Sequence, residues 1–261
     1  MRLKTFDALA WIRWKESTYF FDQMRTHQWE AWANALVFSL GRRRSPNWIR
    51  TKKVHPLLRV EYLRIGDLPP LSFKVAEGEC LAIEGPSGSG KTRLLRAIAD
   101  LDPAKGLIFL DGAERNEMPA WAWRHQVRYC AAEPSWWTDT AQAAFAEAEK
   151  PDTRRVQRLL TVLGLASELL NRPLSVVSTG ERQRLALLRA LIDDPKVLLL
   201  DEPTAALDPQ ATALVEELIK YQILSGHSVL LASHNRAQIE RLSHARLLLP
   251  RRAGATAEHS I

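Results

Sequence analysis

Two stretches of this 261-residue chain hold residues whose types and spacing suit chemistry. The first is "GPSGSGKT", residues 85–92, which follows the apolar run "CLAIE" and opens the stretch "TRLLRAIAD". A glycine-rich turn between a strand and a helix can aim backbone N–H groups at an anion, and Gly85, Gly88 and Gly90 keep Cβ atoms out of the way. Pro86, Ser87 and Ser89 complete the loop. Lys91 would meet the β- and γ-phosphates of a nucleotide as a point charge, and Thr92 would offer its hydroxyl to Mg2+. The helix N-terminus adds a favourable field for the phosphates. A chance glycine-rich turn is the competing explanation, and the flanking strand and helix argue against it. The second stretch is "VLLLDE", residues 197–202: four apolar residues of a buried strand ending in two carboxylates. Asp201 is suited to holding Mg2+ through water, and Glu202 to orienting or deprotonating an attacking water. Together the two stretches predict binding and hydrolysis of ATP with Mg2+.

Parallel strands covered by helices are what would bring these stretches to one place. Short apolar runs at 60–65, 71–75, 80–84, 107–110, 127–131, 197–200, 228–232 and 246–249 predict strands. Helical periodicity lies at 91–99, 140–149, 153–163, 181–192, 210–224 and 236–242. This alternation predicts an α/β fold with a parallel sheet. The run of helices between 138 and 192 predicts an inserted helical subdomain. In "MPAWAWRHQ", Trp121 and Trp123 are expected to pack a helix against the sheet. His125, His227 and His244 lack the partner spacing of a metal site, and solvated or core roles are expected of them.

The composition breaks near residue 57. The chain's formal charge is +6, but residues 1–57 carry 11 Lys/Arg against 4 Asp/Glu and the remainder 25 against 26, so the main body is not basic. The first segment also holds five of the nine tryptophans and one of the twelve glycines. Three readings of it stay open: an amphipathic helix on a membrane surface around "WEAWANALVFSL", a loosely ordered tail, or upstream sequence ahead of a true start near Val54. Domain bounds of 1–57, 58–250 with a helical subdomain at about 133–180, and a tail at 251–261 follow. No apolar run approaches the roughly 18–20 residues a membrane-spanning helix needs, and no secretory leader is evident. Cys80 and Cys130 both sit in apolar strand-like runs, which suits buried thiols in a reduced, intracellular setting.

Two further motifs narrow the class. "VSTGERQRLALLRAL", residues 177–191, resembles the signature sequence of ABC ATPases, and "SHN" with His234 resembles their switch histidine. The order of phosphate loop, signature, "LLLDEPTAALD" and histidine is also that family's, and the resemblance covers about residues 58–250. It implies a P-loop NTPase fold with an ABC-type ATPase core, a small antiparallel β part and the inserted helical subdomain. It also implies that Ser178 and Gly180 donate to the γ-phosphate held by a second subunit, so that two copies dimerise head to tail around two ATP. Asp208 matches the loop that crosses this interface, and His234 joins Lys91 and Glu202 as a catalytic candidate.

The chain departs from the family pattern at several positions. Val177, Thr179, Glu181 and Ala205 replace the commoner residues, with the donors at 178 and 180 kept. Where the family usually places an aromatic ring to stack on adenine, near residue 65, this chain has Ile65, and Tyr62 stands three positions early. Less base-selective nucleotide binding is the expectation. In "VRYCAAEPSWW", residues 127–137, Ala132 occupies the position of the family's Q-loop glutamine while Glu133 and Pro134 keep theirs, which predicts slow but real turnover. Trp136 and Trp137 border the region that receives a membrane subunit in ABC transporters. They either anchor such a partner or pack into the helical subdomain's own core.

The reading that gathers most of these features is the ATP-hydrolysing subunit of an ABC transporter. It would be cytoplasmic, peripheral on the inner face of the cell membrane, and would drive a separate transmembrane permease. In detail it resembles compact importer or exporter ATPases, including small proteins linked to metal export. Nucleic acid is not an expected partner, although a soluble ABC ATPase acting on nucleic acid or ribosomes is the alternative that the basic first segment would favour. A weakly hydrolysing regulatory cassette is another, which Ala132 keeps open.

Overall fold

The computed structural model describes residues 56–146 and 152–250. Residues 1–55, on which the membrane-surface helix, the loose tail and the start near Val54 fall, and the tail at 251–261 lie outside the described residues. In chain order the strands are β1 (Leu58–Arg64), β2 (Leu71–Val75), β3 (Cys80–Glu84), β4 (Lys105–Leu110), β5 (Ala113–Glu114), β6 (Val127–Cys130), β7 (Val197–Asp201), β8 (Ser228–Ala232) and β9 (Ala245–Leu248). The helices are α1 (Lys91–Ile98), α2 (Ala120–Gln126), α3 (Ala141–Ala146), α4 (Thr153–Val162), α5 (Thr179–Leu191), α6 (Pro209–Leu224) and α7 (Arg236–Leu242).

Five strands form a parallel sheet in the order β6-β7-β8-β3-β9. All five residues of β7 and all five of β8 are buried, as expected when helices cover both faces. Side chains alternate between the faces, and two cores result. Leu198, Leu200, Val229 and Leu231 join residues of α3 to α6 in one. Val197, Leu199, Leu230 and Ala232 join Leu94, Leu95 and Ile98 of α1 in the other. The second core also packs against an antiparallel sheet of order β2-β1-β4-β5. Strand β1 bulges between Val60 and Leu63, with Tyr62 at φ 50°. Gly106 lies opposite the bulge, where a Cβ would come within 2.7 Å of Leu63 Cα and of the Tyr62 carbonyl, so no larger residue fits. The chain from 131 to 178 contributes α3, α4 and two short 3-10 turns, Ser167–Leu170 and Leu174–Val176.

The expectation for Trp121 needs amending. Trp123 is fully buried and donates its indole N–H to the Ile98 carbonyl at 2.9 Å, whereas Trp121 is 73% exposed. Two residues apart on a helix point about 200° apart, so α2 can turn only one of them to the sheet. Tyr62 is 75% exposed on its bulge, and Ile65 is buried in the core. His244 and His227 are absorbed locally: His244 Nδ1 accepts from Cys80 N at 3.1 Å, and His227 Nδ1 lies 2.8 Å from the Pro195 carbonyl.

Candidate nucleotide site

The loop from Gly85 to Gly90 leaves the C-terminal end of β3 and becomes α1, with Gly90 at φ 102° as its N-cap. A Cβ on Gly85 would stand 2.7 Å from Ser89 Oγ and 3.0 Å from the Leu249 carbonyl, so this turn excludes any side chain there. Around a Cβ built on Gly88 there is only open space, and Pro86, Ser87 and Gly88 face solvent. Ser89 Oγ is buried without a hydrogen-bond partner. Lys91 is folded back on its own loop: Nζ donates to the Gly85 carbonyl at 2.8 Å and the Pro86 carbonyl at 3.3 Å, and lies 3.3 Å from His234 Nε2. Burial pulls its ammonium below the ordinary lysine value, with Glu202 and Asp201 opposing. A cleft of about 330 Å3 opens beside the loop, lined by Gly85, Pro86, Ser233 and His234.

Strand β7 delivers Asp201 and Glu202 to the same end of the sheet. Asp201 is buried, and Tyr129 donates its hydroxyl to Asp201 Oδ2 at 3.0 Å. Glu202 stands at φ 46°, a left-handed conformation that is costly for a residue with a Cβ. Its N–H reaches the Ala232 carbonyl at 2.9 Å, and its carbonyl accepts Gln183 Nε2 at 2.8 Å. Glu202 Oε1 is buried with no hydrogen bond, 3.7 Å from His234 Nε2. Burial raises its carboxyl above the usual glutamate value, and His234 opposes that shift. The structure therefore brings Lys91, Asp201, Glu202 and His234 to one end of the parallel sheet. Thr92 is exposed on the first turn of α1, and α1 packs against β7.

Ser178, Gly180 and Asp208 form a second group. Ser178 caps α5, and its polar contacts run to Glu181: the hydroxyl donates to Glu181 Oε2 at 2.6 Å, and the Ser178 N–H donates to the same oxygen at 3.0 Å. These bonds draw the Glu181 carboxyl below its ordinary value. Asp208 caps α6, accepting from Ala211 N at 2.8 Å. A Cβ on Gly180 would stand 3.2 Å from the Ala206 carbonyl, so the start of α5 packs directly on the turn before Asp208. Gln183, 2% exposed, joins the two groups. Its Oε1 accepts from Ala206 N at 3.2 Å, while its Nε2 serves the Glu202 carbonyl and the Ala132 carbonyl, the latter at 3.5 Å.

Neither Gln183 nor Tyr129 stood out among the site residues in the sequence. A polar residue on the apolar face of α5 was the available signal for Gln183. Beyond Ala132, Trp136 packs against the helical core, whereas Trp137 is 60% exposed. The Arg189 guanidinium lies over both rings at 4.4 and 4.8 Å. Trp136 also lines a cavity of about 510 Å3 with Pro134, Asp139, Pro173 and Arg182.

Residues 68–205, which hold the phosphate loop, Ser178 and both strand-end carboxylates, match the profile of the ABC transporter family. The chain belongs to that family. Among relatives of this ABC protein, "Protein STAR1" of Oryza sativa subsp. japonica is 37% identical over 69% of the chain and 54% of its own length. An "ATP-dependent lipid A-core flippase" of Burkholderia orbicola is 35% identical over 67% of the chain and 31% of its own length. The chain thus spans about half or less of these two relatives. It covers more, 75%, of "ABC transporter I family member 17" of Arabidopsis thaliana, at 32% identity over 73% of the chain. Among solved structures, an ATP-binding subunit of an ABC transporter superposes with a TM-score of 0.67 at 26% identity, covering 74% of this chain and 85% of that one. A dimeric cassette holding ADP and Pi shares the fold, with a TM-score of 0.64 at 22% identity over 74% of this chain and 94% of that one. The α/β P-loop architecture is that of ABC ATP-binding cassettes, whose family binds and hydrolyses ATP. Among the described residues no helix is long and apolar enough to cross a membrane.

Proposed function

We propose that this chain is the ATP-hydrolysing subunit of an ABC transporter, that two copies close around two ATP, and that closure drives a separate transmembrane permease from the inner face of the membrane. The observation that carries the reading is the convergence of Lys91, Asp201, Glu202 and His234 at one end of the parallel sheet, with Ser178 and Gly180 at a helix N-terminus elsewhere on the chain. Within one protomer, the loop from Gly85 to Gly90 receives the phosphates. Lys91 exchanges the carbonyls of Gly85 and Pro86 for phosphate oxygens, and Ser89 Oγ gains the partner it lacks.

The residues present fit Mg2+: a buried carboxylate on Asp201, the Thr92 hydroxyl on the adjoining helix, and an orphaned acceptor on Glu202. Bound there, the cation would neutralise charge on the β- and γ-phosphate oxygens. Glu202 orients water and accepts its proton, a task for which its raised carboxyl pKa is suited. His234 lies within reach of both Lys91 and Glu202 and can hold the loop and the base in register. Ala132 brings no amide to this set, and the reading includes slow turnover for that reason.

The test uses the full chain with Glu202→Gln, trapped with ATP in native membranes, solubilised and purified. Copurification of a multispanning protein is the expected result. Recovery of ribosomes or RNA instead would overturn the transport reading, and unchanged nucleotide binding by Lys91→Ala would overturn the site.

A further inference from the structure

We propose that Tyr129 is a positioning residue for the metal-binding carboxylate: its hydroxyl fixes the orientation of Asp201 and so sets how strongly a divalent cation is held beside the nucleotide. This rests on the reading of Asp201 as a metal ligand.

The register of the parallel sheet puts the two groups together. Tyr129 on β6 pairs with Leu199 on β7, and Asp201 follows Leu199 by two residues, on the same face. That face is covered by α1, the helix carrying Thr92, and Tyr129 packs there with Leu199 and Leu95 in the same core. The ring is held by this packing, so the hydroxyl is delivered to Asp201 Oδ2 at 3.0 Å. A phenol has one proton to give, and here it goes to Oδ2. That bond favours one orientation of the carboxylate and leaves Oδ1 for a cation or its water.

The arrangement matters more in this chain than it would with a glutamine at position 132. Ala132 offers no side-chain donor or acceptor, so fewer groups can order the cation's surroundings. Asp201 and its own partner then carry a larger share. Groups that hydrogen-bond a metal ligand from behind typically contribute about 10- to 100-fold to metal affinity.

The test measures nucleotide affinity, not turnover. A fluorescent ATP analogue is titrated into full-length protein with Mn2+ and again with EDTA, and the ratio of the two dissociation constants gives the cation's contribution. Wild type should show a large ratio, Asp201→Asn a ratio near one, and Tyr129→Phe a ratio reduced about 10-fold with the EDTA value unchanged. A wild-type ratio near one would remove the metal reading of Asp201 itself. A normal ratio in Tyr129→Phe, with Asp201→Asn near one, would overturn the role of Tyr129 and leave Asp201 standing. Equal weakening of Tyr129→Phe with and without cation would make the hydroxyl a packing element, which also overturns it.

Discussion

The carboxylate of Glu181 competes for the hydroxyl that the proposed dimer needs, and replacing it with glutamine should tighten ATP-driven dimerisation. Ser178 has one hydroxyl proton, committed to Glu181 Oε2 at 2.6 Å, and its N–H is committed to the same oxygen. To reach a γ-phosphate across the interface, Ser178 must give up a charge-assisted bond, and the phosphate must approach a negative side chain. With like charges about 6 Å apart at a partly solvated surface, the repulsion is on the order of 1 kcal/mol per site. Two sites per dimer give about 2 kcal/mol, or roughly 30-fold in the dimer dissociation constant. Glutamine keeps an acceptor for the Ser178 N–H, so the cap survives, but the favourable charge at the helix N-terminus is lost, about 0.3–1 kcal/mol of folding stability. The pH signature has a defined sign. Because the folded-state pKa of Glu181 is depressed, its stabilisation is present above the ordinary glutamate value and is lost as pH falls through the folded value. Glu181→Gln should lack that component. The assay is sedimentation of Glu202→Gln and Glu181→Gln/Glu202→Gln with ATP across protein concentration. A dimer no tighter in the double variant would refute the competition argument.

Two other substitutions are informative. Ala132→Gln should restore the missing amide and raise kcat for phosphate release about 10-fold while ATP affinity changes less than about twofold; unchanged or lower turnover would show that other residues of the protein have compensated for the loss. Trp136→Ala should cost about 2–3 kcal/mol in urea unfolding, because the ring packs on the helical core and under Arg189, whereas Trp137→Ala, at a 60% exposed position, should cost under about 1 kcal/mol. If Trp136→Ala kept full stability yet lost copurification with a permease, the ring would be a docking anchor instead.

The parts of the site that were legible in the sequence are those written in contiguous residues. The loop from Gly85 to Thr92 and the strand ending in Asp201 and Glu202 carry their own flanking strand and helix, so their chemistry and their location at a strand end follow together. The buried runs of β3, β7 and β8 were legible because two covered faces remove polar alternation. Contacts that depend on pairing between distant strands were not. Tyr129 and Asp201 lie 72 residues apart and meet only through the β6–β7 register. The two-residue β5 and the β1 bulge carry too little periodicity to announce themselves. The competition for the Ser178 hydroxyl was hidden for another reason: a glutamate three residues after a serine signals a cap and a ligand site equally well.

One consequence of the fold could not be read from any motif. Glu202 sits in a left-handed conformation that costs a side-chain-bearing residue about 1–3 kcal/mol, and two hydrogen bonds hold it there. In one, the Glu202 N–H donates to the Ala232 carbonyl on β8, the strand that leads to His234; in the other, the Glu202 carbonyl accepts from Gln183 on α5, the helix that Ser178 caps. Gln183 also accepts from Ala206 N in the turn before Asp208. If engagement of Ser178 in the proposed dimer shifted α5, the shift would act on Glu202 through a single buried side chain, because an amide with both ends bonded cannot move without moving its partners or leaving them unpaired. In the proposed dimer, each protomer would sense one nucleotide through Ser178 and adjust the base facing the other through the bonds that Gln183 makes to the Glu202 carbonyl and to Ala206 N.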